Sequence, residues 1–448
     1  MALGRKLARL SVPVSPPRPA ARAPEPAPPP ESAPPAEPAR SSRLLDDLRA
    51  KMDAILSREP VARRVPALDQ PDLPFQSEET PHGTLHRRVL RLPPSHRVGR
   101  ASVLPSRSAD PGLLALLALD PALAACPPSG ALYLDTETTG LAGGTGTVAF
   151  LVGLAFWDPD PQGDGRAELV VEQLLVRNLG EEAPMLAHVA ARVRAASMLV
   201  TFNGKSFDMP LLRTRFVLAR MEAPPEPPHL DLRHVARRIH KARGVQCRLI
   251  GLEDKILGFV RQDDVPSGDV SACYLHFLRT GETAALLGVV EHNLWDVVTM
   301  ASLLGLYGEP LEGSALAGDD LAGAARVLRR AGAHESARAF AEAAVDRGGG
   351  TESLRARAEI AKVLGDRARA LRDFHAVLER EDDPRVRLEL AKIYEHHERD
   401  LARALVLTTL GTGESDEARG KRRRRIEEKL ARSRRDAPLF EAASTRKR

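Results

Sequence analysis

The stretch Leu134-Asp135-Thr136-Glu137-Thr138-Thr139-Gly140 decides the fold class of this chain, because it ends an apolar strand in an acidic cluster. Asp135 and Glu137 are two positions apart, so their side chains point to the same face of a sheet. Adjacent carboxylates repel each other unless a cation neutralises them, and such oxygen ligands suit Mg²⁺ or Mn²⁺. Solvated acids at a strand end are the ordinary alternative, but the apolar strand and the glycines around this pair favour a metal site.

The acidic strand is followed by a glycine-rich turn, which contains the four residues Gly140, Gly143, Gly144 and Gly146. Glycine lets a backbone approach a substrate closely, so we place Thr138 and Gly140 among the substrate-binding residues. A phosphate-binding loop is excluded here. GGTGT is not followed by Lys, and its spacing matches neither the Walker pattern nor the dinucleotide-binding pattern.

Two further motifs supply acids downstream. Met198–Phe202 is predicted to be a buried strand that runs into a turn, and Asp208 falls at the start of the next helix. A helix N-cap is the common use of Asp at such a position. On a later helix, His292 and Asp296 are four residues apart and therefore share a face, as an ordinary surface pair also would. Each motif taken alone has this structural explanation, whereas all three together indicate one catalytic site.

The motif order DxETTG, NxxxFD and a helical His-Asp pair resembles the DEDD (DnaQ-like) exonuclease superfamily. The chain is still more similar to the YprB-type ribonuclease H-like domain group. The features shared with that group are LDTETTGL, TFNGKSFDMPLL, the stretch 231–234, the loop 263–266, and His292-Asn293 before Asp296. The resemblance covers about residues 82–307. It implies an α/β fold with a ribonuclease H-like mixed sheet flanked by helices.

The resemblance also implies the roles of the site residues. The metal-binding acids, which hold two Mg²⁺ or Mn²⁺ ions, would be Asp135, Glu137, Asp208 and Asp296. His292 would be the general base, as neutral imidazole suits proton transfer near pH 7. Superfamily members usually place this His five residues before the last Asp and use Tyr at four, whereas here His stands at four. A helix-surface position or an orienting role for His292 therefore remains open.

Three residues beside Asp208 are candidates for substrate contact. Phe202, Asn203 and Lys205 could touch a nucleotide, and we assign substrate binding to Asn203 and Lys205, the latter through phosphate. Asp231 and His234 lie near a strand end, where a structural pairing is favoured over a role in the cleft. The implied activity is phosphodiester hydrolysis of DNA or RNA, 3′-to-5′ by resemblance. A catalytically silent nucleic-acid-binding or scaffold protein is the alternative.

The remaining chain predicts three further regions. Residues 1–81 are rich in Pro and Ala and are expected to be mostly disordered, with one short amphipathic helix at 42–57. The nuclease domain is placed at 82–310. Residues 311–412 are helical, and the motifs at 337–340, 368–371 and 402–405 recur roughly every 31 to 34 residues, close to a tetratricopeptide period. An Ala-rich bundle is the alternative to this repeat, which could bind a protein partner. Residues 413–448 form a basic tail.

The composition of the chain restricts its possible functions less than the motifs do. The formal net charge of +5 and the pI of about 9.2 permit a polyanionic partner without requiring one. Apolar runs of membrane-spanning length are missing from the sequence, which predicts a protein without a membrane partner. The three cysteines are far apart and form no paired metal-binding spacing, which fits reduced thiols in a cytoplasmic protein.

Overall fold

The computed structural model describes residues 72–140, 146–158 and 167–435. The predicted helix at 42–57 and the rest of the N-terminal segment to residue 71 lie outside the described residues. So do Gly143 and Gly144 of the glycine-rich turn, and residues 436–448 of the basic tail. Within the described ranges the predicted fold class is confirmed, because a mixed sheet flanked by helices is followed by a helical region.

The centre of the fold is a seven-stranded sheet with the order β1-β2-β7-β6-β5-β8-β9. Its strands are β1 (Gln76–Thr80), β2 (Gly83–Leu92), β5 (Ala131–Thr138), β6 (Ala149–Trp157), β7 (Leu169–Leu175), β8 (Met198–Thr201) and β9 (His229–Asp231). A separate hairpin joins β3 (Arg97–Val98) and β4 (Ala101–Ser102). Strands β5, β8 and β9 are parallel, so their carboxyl ends meet at one edge. This brings the acids of β5 next to the turn that follows β8.

The sheet begins before residue 82, where we placed the domain boundary. Strand β1 pairs antiparallel with β2 through a tight turn at Gly83. Leu73 and Phe75 precede it and are buried against the core. Apolar burial explains why this segment is ordered with the domain, whereas its polar strand sequence, Gln76–Thr80, carries no hydrophobic alternation.

Helices cover both faces of the sheet. The helices of this part are α1 (Pro111–Ala118), α2 (Ala183–Ala195), α3 (Asp208–Leu218), α4 (Leu232–His240), α5 (Leu249–Leu252), α6 (Val270–Thr280) and α7 (Ala284–Gly308). Leu132 and Leu134 of β5 pack on the face covered by α2 and α3, and Tyr133 packs on the face covered by α7. Because side chains alternate along a strand, Asp135 and Glu137 share the face of Tyr133 and point toward α7.

Helix α7 approaches the sheet unusually closely at Gly153 of β6. A Cβ at this position would lie 2.3 Å from the side-chain oxygen of Asn293, so any larger residue would push α7 away. Gly153 is the partner of Asp135 across the β5–β6 ladder. The glycine therefore sets the height of α7 above the acidic strand.

A helical region follows α7. It contains α8 (Gly318–Arg330), α9 (His334–Asp346), α10 (Thr351–Leu364), α11 (Arg367–Leu378), α12 (Pro384–Ile393, continued by a π-turn to Glu398), α13 (Leu401–Thr409) and α14 (Asp416–Arg435). Its first helix is locked to α4, because Gly323 allows the backbones to touch near the carbonyl of Ile239. His240, Tyr307 and Asp320 form a buried hydrogen-bonded chain across the same junction, with contacts of 2.9 Å. The region is therefore attached rigidly to the sheet domain.

Part of the predicted basic tail is a packed helix. Ile426 of α14 is fully buried, and the side chains of Arg425 and Lys429 each bind Glu395 at 2.7 to 2.8 Å. The charges of Arg425 and Lys429 are therefore already paired with a carboxylate of the protein itself, that of Glu395. None of the helices in the described ranges has the length and apolar character that crossing a membrane requires.

Candidate metal centre

Three of the predicted site residues meet between β5 and α7. One ligand atom each from Glu137, His292 and Asp296 can be chosen so that all lie within 4.8 Å of one another. The Nε2 atom of His292 is 3.6 Å from Asp296 and 4.0 Å from Glu137. The predicted shared face of His292 and Asp296 is thus observed, and this face points toward the acidic strand rather than into solvent.

Asp208 approaches the same strand from the opposite layer. It is the first residue of α3, whose N-cap is Phe207, so Asp208 does not serve as the helix cap. Its buried carboxylate accepts a hydrogen bond of 2.5 Å from the hydroxyl of Thr136, the residue between the two acids of β5. A side chain on the α3 face of β5 therefore holds Asp208 next to the acidic pair.

Asp135 is held by Asn293, which is fully buried between α7 and the sheet. The Asn293 amide donates to Asp135 at 3.0 Å, and its carbonyl oxygen accepts from Gln173 of β7 at 3.0 Å. Burial, reinforced by the charges of Asp296, Asp208 and Glu137, raises the pKa of Asp135 well above its usual range. The hydrogen bond from Asn293 opposes this rise only in part.

Glu137 and Asp208 carry, like Asp135, carboxyl groups whose pKa values are raised. Burial and the neighbouring Asp296 raise the pKa of Glu137 to about 8. Burial also raises the pKa of Asp208 to about 6, even though Thr136 stabilises its charged form. Several buried carboxyl groups that raise one another's pKa would be stabilised in their charged forms by a bound cation. The ligand atoms that the four acids offer are carboxylate oxygens, which fit Mg²⁺ or Mn²⁺.

A buried arginine that the sequence analysis did not identify reaches into this cluster. Arg261, only 3% exposed, binds Glu253 through two nitrogens at 2.7 and 2.8 Å and also pairs with Asp296. A third nitrogen donates to the backbone carbonyl of His292 at 3.3 Å. Burial would lower the pKa of Arg261, but Asp296 and Glu253 raise it, so the guanidinium stays charged. Arg261 thus ties the α5 segment to the side of α7 that carries His292 and Asp296.

His292 is oriented by a second acid, Asp264. The Nδ1 atom of His292 lies 2.7 Å from Asp264, which leaves Nε2 directed toward Glu137 and Asp296. Burial lowers the pKa of His292, but the carboxylates of Asp296, Glu137 and Asp264 raise it overall. A carboxylate on one imidazole nitrogen and an acidic cluster at the other is the arrangement that fixes a tautomer for proton transfer.

A cleft of about 500 Å³ opens beside His292 and Asp296. Its other lining residues include Phe202, Asn203, Arg233, Cys247, Arg248, Ile250 and Ser267. The cleft combines an aromatic ring with two arginines next to the acids. This composition suits a nucleotide, whose base can stack on a ring and whose phosphate can pair with arginine.

The predicted substrate-binding residues divide into two groups. Asn203 lines the cleft in a left-handed backbone conformation (φ 74°), and its side-chain oxygen accepts from Arg233 at 2.6 Å. Lys205 is not among the cleft residues and lies 4.0 Å from Asp120. Thr138 is buried and donates to the carbonyl of Gly140 at 3.0 Å, so these two residues shape the turn.

Asp231 has the structural role that we favoured. Its carboxylate accepts from the backbone of Arg233 at 3.1 Å, capping α4, and from the backbone of Asn203 at 2.9 Å. One acid therefore joins the start of α4 to the turn after β8. His234, three residues further on, is partly buried and is not a lining residue of the cleft.

A mixed sheet with helices on both faces and an acidic cluster on an inner strand is the arrangement expected of a ribonuclease H-like domain. Residues 132–307 match the family described as the RNase_H superfamily. The chain is also 38% identical over 173 residues to the "Uncharacterized protein YprB" of Bacillus subtilis (strain 168). That match covers 38% of this chain and 40% of the relative, so the matched segment spans less than half of either protein. The predicted ribonuclease H-like domain and its likeness to YprB are confirmed.

Proposed function

We propose that this protein is a metal-dependent nuclease that hydrolyses phosphodiester bonds, and that it removes nucleotides from a 3′ end. The observation that carries the proposal is the buried acidic cluster, in which the pKa values of Asp135, Glu137 and Asp208 are all raised. Such a cluster destabilises the fold unless a cation is bound, so its presence beside a cleft with two arginines needs a functional explanation. The exonucleolytic polarity rests on the resemblance of the motifs to the DEDD superfamily.

We assign the binding of two Mg²⁺ or Mn²⁺ ions to Asp135, Glu137, Asp208 and Asp296. Bound there, the ions would supply a nucleophilic water and stabilise the leaving oxygen. His292 takes the proton of the attacking water at Nε2, while Asp264 holds its Nδ1 atom. Phe202 and Asn203 position the terminal nucleotide, and Arg233 and Arg248 pair with its phosphates.

One observation favours the alternative, a silent protein that only binds nucleic acid. Arg261 already pairs with Asp296, as an internal cation would in a site that no longer needs metal. The same guanidinium, however, binds Glu253 with two nitrogens and so brings its own counter-charge into the site. Among the residues that the structure describes, Arg261 forms no ion pair with Asp135, Glu137 or Asp208, and the pKa values of these three carboxyl groups stay raised.

The test is release of nucleotides from end-labelled single- and double-stranded DNA and RNA, with Mn²⁺, Mg²⁺, Ca²⁺ or EDTA. We expect cleavage with Mn²⁺ or Mg²⁺ and binding without cleavage with Ca²⁺, because the larger ion tolerates looser geometry. Asp135→Asn should abolish cleavage, whereas Asp254→Asn, at an exposed acid paired with Lys255, is the matched control. Wild-type protein that binds every substrate but releases no nucleotide would support the silent alternative.

For the helical region we propose a tetratricopeptide-like array. The helices that begin at Gly318, Thr351 and Pro384 alternate with those that begin at His334, Arg367 and Leu401. Successive starts within each set are therefore 33 or 34 residues apart, close to the 34-residue tetratricopeptide period. The strictness of the helix spacing supports this array better than the looser spacing of the Ala-Arg-Ala motifs.

A further inference from the structure

A row of cations runs along α4, away from the candidate metal centre. Arg233, at the start of this helix, lines the cleft beside His292 and Asp296. Arg237 and Lys241 follow at intervals of four residues and therefore continue the same face. Both are exposed, and neither makes an ion pair among the residues that the structure describes. Exposed cations without counter-charges are free to bind an anionic partner.

The far end of this row enters a second groove, of about 490 Å³, between α4 and the helical region. Lys241 and Arg238 line this groove, together with Arg326, Arg355 and Arg385 of the helical region. The acids in its walls are Glu352, Glu359 and Glu389. Arg326 and Arg355 already pair with acids of the helical region, whereas Arg238, Lys241 and Arg385 make no ion pair among the described residues.

The apolar side chains that line the second groove are buried. Phe374 and Val386 lie in its lining but are each 1% exposed, and Ile239 is equally buried. A groove that receives the apolar face of a helix needs exposed anchors, which are missing among these lining residues. A partner that presents regularly spaced negative charges fits this surface better than a hydrophobic peptide does.

We propose that α4 and the groove of the helical region form a track for the backbone of single-stranded nucleic acid whose end lies in the candidate cleft. The proposal rests on the proposed nuclease function and extends it to a second binding surface. The junction at Gly323 and Asp320 fixes the two grooves relative to each other, so the track has a constant length. From Arg233 to Lys241, eight residues of helix span about 12 Å. That is roughly three to four nucleotides at the 3.4 Å rise of one strand.

The test compares ligands of two lengths on the full chain. Arg237→Glu with Lys241→Glu reverses both exposed charges of the row. Lys255→Glu with Arg338→Glu makes the same change in net charge at two exposed positions outside the track. Binding of a mononucleotide, as the shorter ligand, and of a single-stranded 20-mer would be measured in Ca²⁺ at several salt concentrations.

We expect the track variant to bind the 20-mer at least tenfold more weakly, while its affinity for the mononucleotide, which fills only the cleft, stays within about twofold. The slope of log affinity against log salt should become shallower by about 1.4, because each lost phosphate contact on a single strand contributes about 0.7. The control variant should retain the wild-type slope. Equal losses for both lengths, or an unchanged slope, would overturn the track.

Two further outcomes separate the track from the nuclease. Hydrolysis of the nitrophenyl ester of a mononucleotide needs only the cleft, so the track variant should keep it at the wild-type rate. The wild-type protein could hydrolyse no substrate at all while the track variant still loses affinity for the 20-mer. That result would support the track and refute the nuclease proposal. If an acidic polypeptide such as polyglutamate binds the wild-type chain as tightly as the 20-mer does, the surface recognises acidic proteins, and the track is refuted.

Discussion

Replacement of Arg261 tests whether one buried guanidinium holds the metal-facing side of α7. Arg261→Met removes both hydrogen bonds to Glu253, the pair with Asp296 and the bond to the His292 carbonyl. Glu253 is only 1% exposed, so the variant leaves its carboxylate buried without its cation. Breaking a buried ion pair from one side costs roughly 3 to 5 kcal/mol. We therefore expect Arg261→Met to lose about this much free energy of unfolding at pH 8.

The double variant Arg261→Met with Glu253→Gln should recover most of that loss, because the uncompensated charge is gone. Thr299 can still bond to the amide, since it donates to Glu253 in the native protein. Arg261→Lys should lie between the two, because one ammonium cannot bind both oxygens of Glu253 and also reach Asp296. Urea unfolding followed by tryptophan fluorescence measures each value, with exposed Arg338→Met as the control. A loss below about 1 kcal/mol in Arg261→Met, or no recovery in the double variant, would refute this account.

Three other predictions concern charged groups of the sheet domain. Asp208→Asn should raise the melting temperature in metal-free buffer. The expected gain in the free energy of unfolding is up to about 3 kcal/mol, because the pKa of Asp208, about 6, means that its ionisation is unfavourable in the folded state. Calorimetry should also show that Mn²⁺ no longer stabilises this variant. His292→Ala should slow cleavage by roughly two to four orders of magnitude without rescue by excess Mn²⁺, and Asp264→Asn by about 10- to 100-fold. Burial opposes ionisation of Glu172, but hydrogen bonds from His188 and Arg192 lower its pKa to about 2. Its folded pKa lies below the unfolded value, so its stabilisation is present above about pH 4.5 and is lost as the pH falls toward 2. Glu172→Gln should flatten that part of the acid unfolding curve.

The positions of the main acids could be predicted because local rules govern them. Two-residue periodicity puts Asp135 and Glu137 on one face, and four-residue periodicity puts His292 above Asp296. Asp208 follows the turn after β8. Because β8 is parallel to β5, this turn lies at the same edge of the sheet as Asp135 and Glu137. Each of these inferences needs only the neighbours of a residue along the chain and the order of the motifs.

Arg261, Glu253 and Asn293 could not be assigned roles in the same way. Arg261 and Glu253 meet across a loop, and their pairing depends on where the α5 segment packs against α7. Asn293 was noticed only as a neighbour of His292, although a glycine opposite Asp135 makes room for it. Gly153 was the available signal, since a lone glycine inside an apolar strand marks the close approach of another chain segment.

The basic tail shows the limit of charge counting. Arg425 and Lys429 lie in the predicted basic tail, yet their charges are directed at Glu395, whose pKa they lower to about 2 against the opposing effect of burial. In α4 the sequence LRHVARRIH gave no such prediction, yet Arg237 lies exposed and unpaired among the described residues. Net charge along a chain therefore does not identify a binding surface, because what matters is which cations lack an internal partner.

Whether a charged group has an internal partner also matters in the acidic cluster, because it bears on whether the site is active. Arg261 carries one positive charge and faces two carboxylates, those of Glu253 and Asp296. His292 contributes at most one more, and Asp264 binds its ring. Two internal cations therefore face six carboxylates, those of Asp135, Glu137, Asp208, Glu253, Asp264 and Asp296. Both cations lower the pKa of Glu137, yet burial and the other acids keep that pKa at about 8 and the pKa of Asp208 at about 6, so the cluster keeps an excess of acids. A silent protein under selection for stability alone would gain from losing one of these acids, since unpaired buried carboxylates cost free energy. Their joint presence is explained if divalent cations bind there and the protein cleaves the strand that its cleft receives.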